Sequence, residues 1–403
     1  MSDAALAIPA ETAPSESDAF IAAVLDRMAA VLAPENGPYP LHEPRIGGTA
    51  WDYVKDCLDS GWVSSVGEYV RWFEEKLVET TGAGHAIATV NGTAALHVCL
   101  LLAGVERDDE VLVPPLTFVA SANAIQYCGA HPHFVDIEPV SLGVDPVALQ
   151  AHLERIAEMR GDVCYNSQTG RPIRALLVVH CFGHPARMAE LANVATRFNI
   201  TLVEDAAEAL GSTAGDRSAG CHGRLAALSF NGNKTITTGG GGAILTDDPL
   251  LAERAHHLTT TARVDDPMAM AHDMVAFNYR MPNLNAALGC AQLEQLPELL
   301  DSKRQLAARW REAFAGLGGV RFLDEPSWGH SNFWLNALSL DPPYAAQRPL
   351  LLTALNRAGY HCRPFFTPLH RLPMYQDQPM APVPVAEDLA ARGFNLPSSA
   401  GLI

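Results

Sequence analysis

The chain is predicted to fold as an α/β protein with a large, mostly parallel sheet, and three observations carry that expectation. Short apolar runs at His85–Val90, Glu110–Val113, Pro132–Val135, Ala175–Val179, Ile200–Val203, Ala226–Phe230 and Gly242–Leu245 alternate with stretches of helical periodicity. The segment Ala286–Arg311, rich in Ala, Leu, Gln and Glu, reads as a long amphipathic helix suited to join two lobes. At 403 residues and 48% apolar, the chain is long enough for one large core and a smaller satellite. In such sheets ligands bind outside the carboxyl ends of the strands, so the residues just after each strand are the ones to read for chemistry.

Taken in order, residues 1–17 mix Ala, Pro, Ser and acidic side chains without periodicity and are expected to form a disordered tail. Phe20, Val24, Leu25, Met28, Val31 and Leu32 then recur at helical spacing, and Pro34 with Asn36-Gly37-Pro38 stops that helix. Residues 18–46 thus read as an N-terminal helix and arm whose apolar stripe docks on the body or on a partner subunit. Residues 47–290 carry the alternating pattern of the large domain, and 291–403 the connecting helix and a smaller α+β C-terminal domain.

A formal net charge of -17 argues against a nucleic-acid surface, which needs clustered Lys and Arg, so an anionic ligand must be met locally. The 8 cysteines are scattered with no CxxC pair; reduced, buried thiols are expected, and no metal site. No apolar run reaches about 18 residues and no signal-like segment opens the chain, so a cytoplasmic protein without membrane contact is expected.

Three constellations follow the expected strands. Asn91-Gly92-Thr93-Ala94-Ala95-Leu96 is a strand end, a small-residue turn and a helix start. Its backbone N–H groups and the Thr93 hydroxyl suit a phosphate dianion, while Thr93 or Asn91 as a plain helix cap is an equal alternative. Val203-Glu204-Asp205-Ala206-Ala207-Glu208 places carboxylates at the end of an apolar strand, where Asp205 caps the next helix or pairs with a cation such as a protonated pyridine nitrogen. Ser229-Phe230-Asn231-Gly232-Asn233-Lys234 leads into the glycine run 239–242. A lone lysine among small residues suits a Schiff base and later proton transfer, with Ser229 adding a bond to phosphate. The plain alternative is a surface lysine on a flexible loop; a nucleotide P-loop fits poorly because no Gly-Lys-Ser/Thr closes the glycine run.

Two weaker signals accompany these. Phe118, after the second strand, stacks on a planar ring or joins the core. Asn278-Tyr279-Arg280 offers an amide and a guanidinium that suits a phosphate or an α-carboxylate, with a surface ion pair as the alternative. His180 and His184 have no third ligand at metal spacing.

The order of these motifs resembles the DegT/DnrJ/StrS family of sugar aminotransferases, fold-type I enzymes that use pyridoxal 5′-phosphate (PLP). The resemblance runs from about Pro40 to Ser399 and rests on Gly61-Trp62-Val63-Ser64-Ser65, Asn91–Leu96, Val203–Ala207, Ser229-Phe230 with Lys234, and Asn278-Tyr279-Arg280-Met281. It implies that Lys234 forms the internal aldimine, Asp205 pairs with the pyridine nitrogen, Phe118 stacks on the ring, and Gly92, Thr93, Ala94 and Ser229 hold the phosphate. It further implies a homodimer with shared active sites, in which Asn278 reaches the neighbouring subunit's phosphate. Glu208 stands where the wider family commonly has Gln or His, near the cofactor hydroxyl. Lys234, rather than His, separates the chain from the family's dehydratases.

Pro40-Leu41-His42-Glu43-Pro44, Ser229–Gly242 and Arg363-Pro364-Phe365-Phe366-Thr367-Pro368-Leu369-His370 are similar to the aminotransferases of the legionaminic-acid and bacillosamine pathways. That similarity implies L-glutamate as donor and C4 of a UDP- or GDP-linked 2-acetamido-2,6-dideoxy-4-keto hexose as acceptor. Arg363 and His370 are candidate contacts to the nucleotide or sugar, with packing as their alternative. A 3-keto sugar nucleotide or a cyclitol is the rival substrate. A non-catalytic regulator that binds PLP or a sugar nucleotide is the rival of another class, against which Lys234 and Asp205 together argue.

Overall fold

The computed structural model describes residues 16–264 and 268–403. The expected tail therefore lies outside the described residues, except for Glu16 and Ser17, which open the helix Glu16–Val31. Its buried face, Phe20, Val24 and Met28, packs with Leu32 against Leu306, Trp310 and Phe314 of the same chain's connecting helix. The stripe thus docks on the body.

Each apolar run forms a strand within two residues of its expected bounds. In chain order they are β1 (His85–Thr89), β2 (Glu110–Val113), β3 (His131–Phe134), β4 (Ile173–Val179), β5 (Thr201–Asp205), β6 (Leu225–Ser229) and β7 (Gly242–Thr246). They form one sheet in the order β1-β7-β6-β5-β4-β2-β3. The pairings from β6 through β3 are parallel, and β7 runs against both β1 and β6. Helices cover both faces, which is why these strands read as continuous apolar runs rather than alternating ones. The helix Gly92–Leu102 is apolar on nearly every side because it is buried on nearly every side, with Ala95, Leu96 and Val98 packed on Ile87, Val111, Leu177 and Val203.

This order brings chemistry together. Ser229 closes β6 opposite Gly242, where β7 begins, and Gly242 lies opposite Thr89 at the end of β1. The ends of β1, β5 and β6 thus share one edge with the start of β7. The connecting helix, Asn283–Phe314, extends three residues beyond its expected range at both ends. It leads to a second, antiparallel sheet of Val320–Phe322, Asn336–Leu340, Gly393–Leu396 and Arg363–Pro364, in that order. The cysteines are unpaired, and all but Cys128 are buried. No helix among the described residues is long and apolar enough to cross a membrane.

One expected ligand contact is turned to structural use. Arg280 pairs along the edge of β1 opposite Thr89, which points its guanidinium inward. Its Nη1 donates to Glu74 Oε1 at 2.6 Å and to the Ala88 carbonyl at 3.1 Å, and the same Glu74 oxygen accepts the Ala88 N–H at 2.7 Å. Arg280 is buried in this pair and faces a carboxylate of its own chain instead of an anionic ligand.

Two consequences are measurable. Arg280→Met leaves Glu74 half-buried without its cation and lowers the unfolding free energy in urea by about 3 kcal/mol. His184 is fully buried, neither ring nitrogen has a partner, and burial brings its pKa from 6.5 down to about 4. The unfolded chain therefore binds this proton first, and stability falls as pH drops through that window by up to about 1.4 kcal/mol per pH unit. His184→Leu removes that part of the slope, as unfolding curves at pH 7, 5.5 and 4.5 would show.

Candidate active site

Asp205 is the last residue of β5 and is almost fully buried. Its Oδ2 accepts from Ser121 Oγ at 2.7 Å and its Oδ1 from the Ala207 N–H at 3.2 Å. Burial pushes its pKa up, and these two donors with the charge of Lys234 only partly offset that. Among the described residues no cationic side chain lies within ion-pair distance of it. A buried carboxylate without a cation is costly, so this position is built to receive a positive group.

Lys234 follows β6 and is nearly enclosed, with 12% of its side chain exposed. Its Nζ lies 3.3 Å from Glu208 Oε1 and 3.9 Å from the centre of the Trp334 ring. The other Glu208 oxygen accepts the N–H of Phe182 at 2.8 Å. Phe182 presents that N–H from a left-handed conformation, φ 55°, which a bulky residue adopts only when its surroundings hold it there. Burial raises the pKa of Glu208, Lys234 and the Phe182 N–H pull it back, and Asp205 adds to the rise.

The turn after β1 forms the third wall. Asn91 caps the Gly92–Leu102 helix, its Oδ1 accepting the Ala94 N–H at 2.8 Å. The Ala94 amide, expected at a phosphate, is therefore committed to the cap. Gly92 and Thr93 are left with N–H groups that no helical carbonyl can accept, because the first turn of a helix has none to offer. A Cβ on Gly92 would sit 2.8 Å from the Ser229 Cβ, so only glycine lets the turn approach the end of β6.

Phe118 is 54% exposed, which rules out the core alternative, and its ring lies 6.2 Å from that of Phe366. Its carbonyl accepts the N–H of Ser121, the residue that holds Asp205. Asp205, Glu208, Ser229, Lys234, Gly92 and Thr93 thus gather at one edge of the sheet, where the strands end, and Phe118 is joined to Asp205 through Ser121. The others lie apart. Asn278 is exposed and bridged to Thr260. Arg363 is exposed on its short strand, and His370 donates through Nε2 to Glu387 Oε1 at 2.6 Å, a contact within the smaller sheet's surroundings. His180 Nδ1 accepts the Ala186 N–H, so its Nε2 donates to Glu204 at 2.9 Å and the ring is structural. Among the described residues no group of three or more His, Cys, Asp and Glu is placed to hold a metal ion.

Sequence reasoning missed Ser121, Trp334, Asn332 and Lys303. Lys303 is a buried lysine whose Nζ donates to His42 Nε2 at 2.9 Å, to the Trp334 carbonyl at 3.1 Å and to the Ser398 carbonyl at 2.6 Å. Burial brings its pKa down to about 7. In the sequence it is one charged residue on an amphipathic helix and carries no local signal.

The residues present fit PLP by this geometry: a buried carboxylate lacking a cation, an enclosed amine, and a helix start open to an anion. Known proteins point the same way. The sequence profile described as the DegT/DnrJ/EryC1/StrS aminotransferase family matches residues 44–403. The GDP-perosamine synthase of Vibrio cholerae is 36% identical over 364 residues, covering 90% of this chain and 94% of that protein. The GDP-perosamine synthase of Caulobacter vibrioides is 37% identical over 360 residues, covering 89% and 92%. Among solved structures, the aminotransferase TlmJ from Streptoalloteichus hindustanus superposes with a TM-score of 0.80 at 26% identity, covering 89% of this chain and 93% of that one. DesI, solved with its TDP-sugar product, superposes with a TM-score of 0.78 at 33% identity, covering 92% and 91%. With a profile match across nearly its whole length and relatives this similar over nine-tenths of it, the chain belongs to the DegT/DnrJ/EryC1/StrS aminotransferase family.

Proposed function

We propose that this nucleotide-sugar aminotransferase moves an amino group from L-glutamate to C4 of a nucleotide-linked 4-keto hexose, with Lys234 as the amine that holds PLP and later shuttles the proton. The observation that carries the reading is Asp205, a buried carboxylate waiting for a cation, beside an enclosed lysine already paired with a second carboxylate. When bound, PLP supplies a carbonyl for the amines and an electron sink for the carbon that loses its proton.

The protein's share of the chemistry follows from its residues. Asp205 would hold the pyridine nitrogen and favour its protonated form. The Gly92 and Thr93 amides with Ser229 would hold the phosphate, with Phe118 as the aromatic neighbour of the ring. Glu208, whose second oxygen is held by Phe182, would serve the ring hydroxyl. Lys234, once free, would take the proton from the donor's α-carbon and, in the second half-reaction, deliver a proton to the sugar carbon that receives the amine.

Support for the acceptor comes from the relatives. Two of them, 36% and 37% identical, are named as GDP-perosamine synthases, names that specify a GDP-linked amino sugar. This favours GDP over UDP as the carrier. The 2-acetamido form of the acceptor and L-glutamate as donor rest on the motif resemblance alone. A shared-site homodimer is supported by apolar side chains left on the surface: Trp51 at the start of the helix Ala50–Ser60, Trp62 and Val66 at or beside the Gly61–Ser65 turn, and Met270, Met274 and Val275 on the loop before Asn278.

Three measurements test this. Lys234→Ala should abolish both the visible absorbance of PLP-reconstituted protein and turnover of glutamate to 2-oxoglutarate; retained turnover overturns the reading. Gly92→Ala should weaken PLP binding about tenfold or more by forcing the turn off Ser229, measured by fluorescence titration of the apoprotein. Mass spectrometry of products from GDP- and UDP-linked 4-keto and 3-keto sugars, with and without the 2-acetamido group, should show a mass change only for the 4-keto acceptors, with the GDP sugar turned over fastest.

A further inference from the structure

Lys234 must leave the cofactor in every half-reaction, and a long flexible side chain released into an open crevice would lose its aim. Its present neighbours form a dock for the released amine. Its ammonium lies 3.9 Å over the Trp334 indole and 3.3 Å from Glu208 Oε1, one contact through a π face and one through charge.

The indole is held with unusual thoroughness for a residue on the second lobe. Its Nε1 donates at 2.7 Å to the carbonyl of Asn233, the residue immediately before Lys234, so the ring is tied to the backbone that carries the lysine. Its own N–H donates to Asn332 Oδ1 at 2.8 Å. The Asn332 amide in turn donates to the Glu208 and Leu210 carbonyls, both at 2.9 Å. One side-chain amide thereby links the segment bearing Glu208 to the segment bearing Trp334. Behind the ring, the buried Lys303 holds the Trp334 carbonyl and His42.

We infer that Trp334 is a positioning residue for the transamination: it receives the Lys234 amine when the cofactor releases it, and together with Glu208 keeps that amine within reach of the reacting carbon. Trp334 acts through Lys234 and need not touch substrate. The inference rests on the reading of Lys234 as the amine that holds PLP.

The test uses two variants, Trp334→Leu, which removes the π face, and Trp334→Phe, which keeps one. In apoprotein treated with acetic anhydride at neutral pH, the docked ammonium is protected, and mass spectrometry should find Lys234 acetylated several-fold faster in Trp334→Leu than in wild type. Trp334→Phe should stay near the wild-type rate. In PLP-loaded protein mixed rapidly with L-glutamate, the limiting rate should fall about tenfold in Trp334→Leu with the glutamate concentration dependence unchanged. The deuterium isotope effect from α-deuterated glutamate should rise, because proton transfer becomes slower; Trp334→Phe should restore most of the rate. A Trp334→Leu protein with native melting but wild-type acetylation and isotope effect overturns the dock and leaves the role of Lys234 intact. If Trp334→Leu does not fold, Trp334→Met, which also lacks a π face, takes its place: Lys234 acetylated several-fold faster than in wild type supports the ring, and a wild-type rate overturns its role. Turnover retained in Lys234→Ala strikes the underlying reading instead.

Discussion

A carboxylate buried at the end of a parallel strand, with no ion-pair partner among the described residues, is the constraint around which the strand ends are arranged. β5 runs between two apolar neighbours and delivers Asp205 into a region where ionisation is penalised. Ser121 and the Ala207 amide hold it in one orientation but do not neutralise it. The nearby cation, Lys234, is bound to Glu208 instead. Amine and acid are thus kept on separate partners, which is the arrangement the proposed roles of Asp205 and Lys234 require.

The sheet order supplies the rest. Because β7 is reversed, the loop carrying Lys234 turns back at the same edge where β1 hands over to the Gly92–Leu102 helix. Glycine at position 92 lets that helix start press against Ser229, and the helix dipole supplies positive potential without a basic side chain. The proposed phosphate site therefore needs no cluster of basic side chains in a chain with a formal charge of -17. The second lobe reaches the same edge through the segment 331–335, whose side chains and carbonyls are held by Asn332 and Lys303. Three acceptors around one buried ammonium make Lys303 a structural centre, joining the N-terminal arm at His42 to the C-terminal Ser398.

Much of this was legible in the sequence. The strands were readable because strands covered on both faces are apolar without alternation, and the positions of Asp205 and Lys234 stood out as charge and amine just past such runs. Arg280, by contrast, looked like a ligand group, since nothing near it in sequence announces Glu74, 206 residues away. His370 likewise finds Glu387 only after the small lobe folds. Ala94 was expected to face an anion and instead serves Asn91, a contact that depends on the extended backbone at the cap.

What the sequence by itself determined was the layered architecture and the placement of an acid, a lysine and a small-residue turn just after apolar strands, because periodicity and abrupt changes of polarity are local properties. Tertiary structure alone decided which charge meets which: Lys234 with Glu208 and Trp334, Asp205 with Ser121, Arg280 with Glu74. Those pairings are set by distances between segments far apart in the chain, and a charged side chain takes whichever opposite partner the packed backbone leaves within about 3–4 Å.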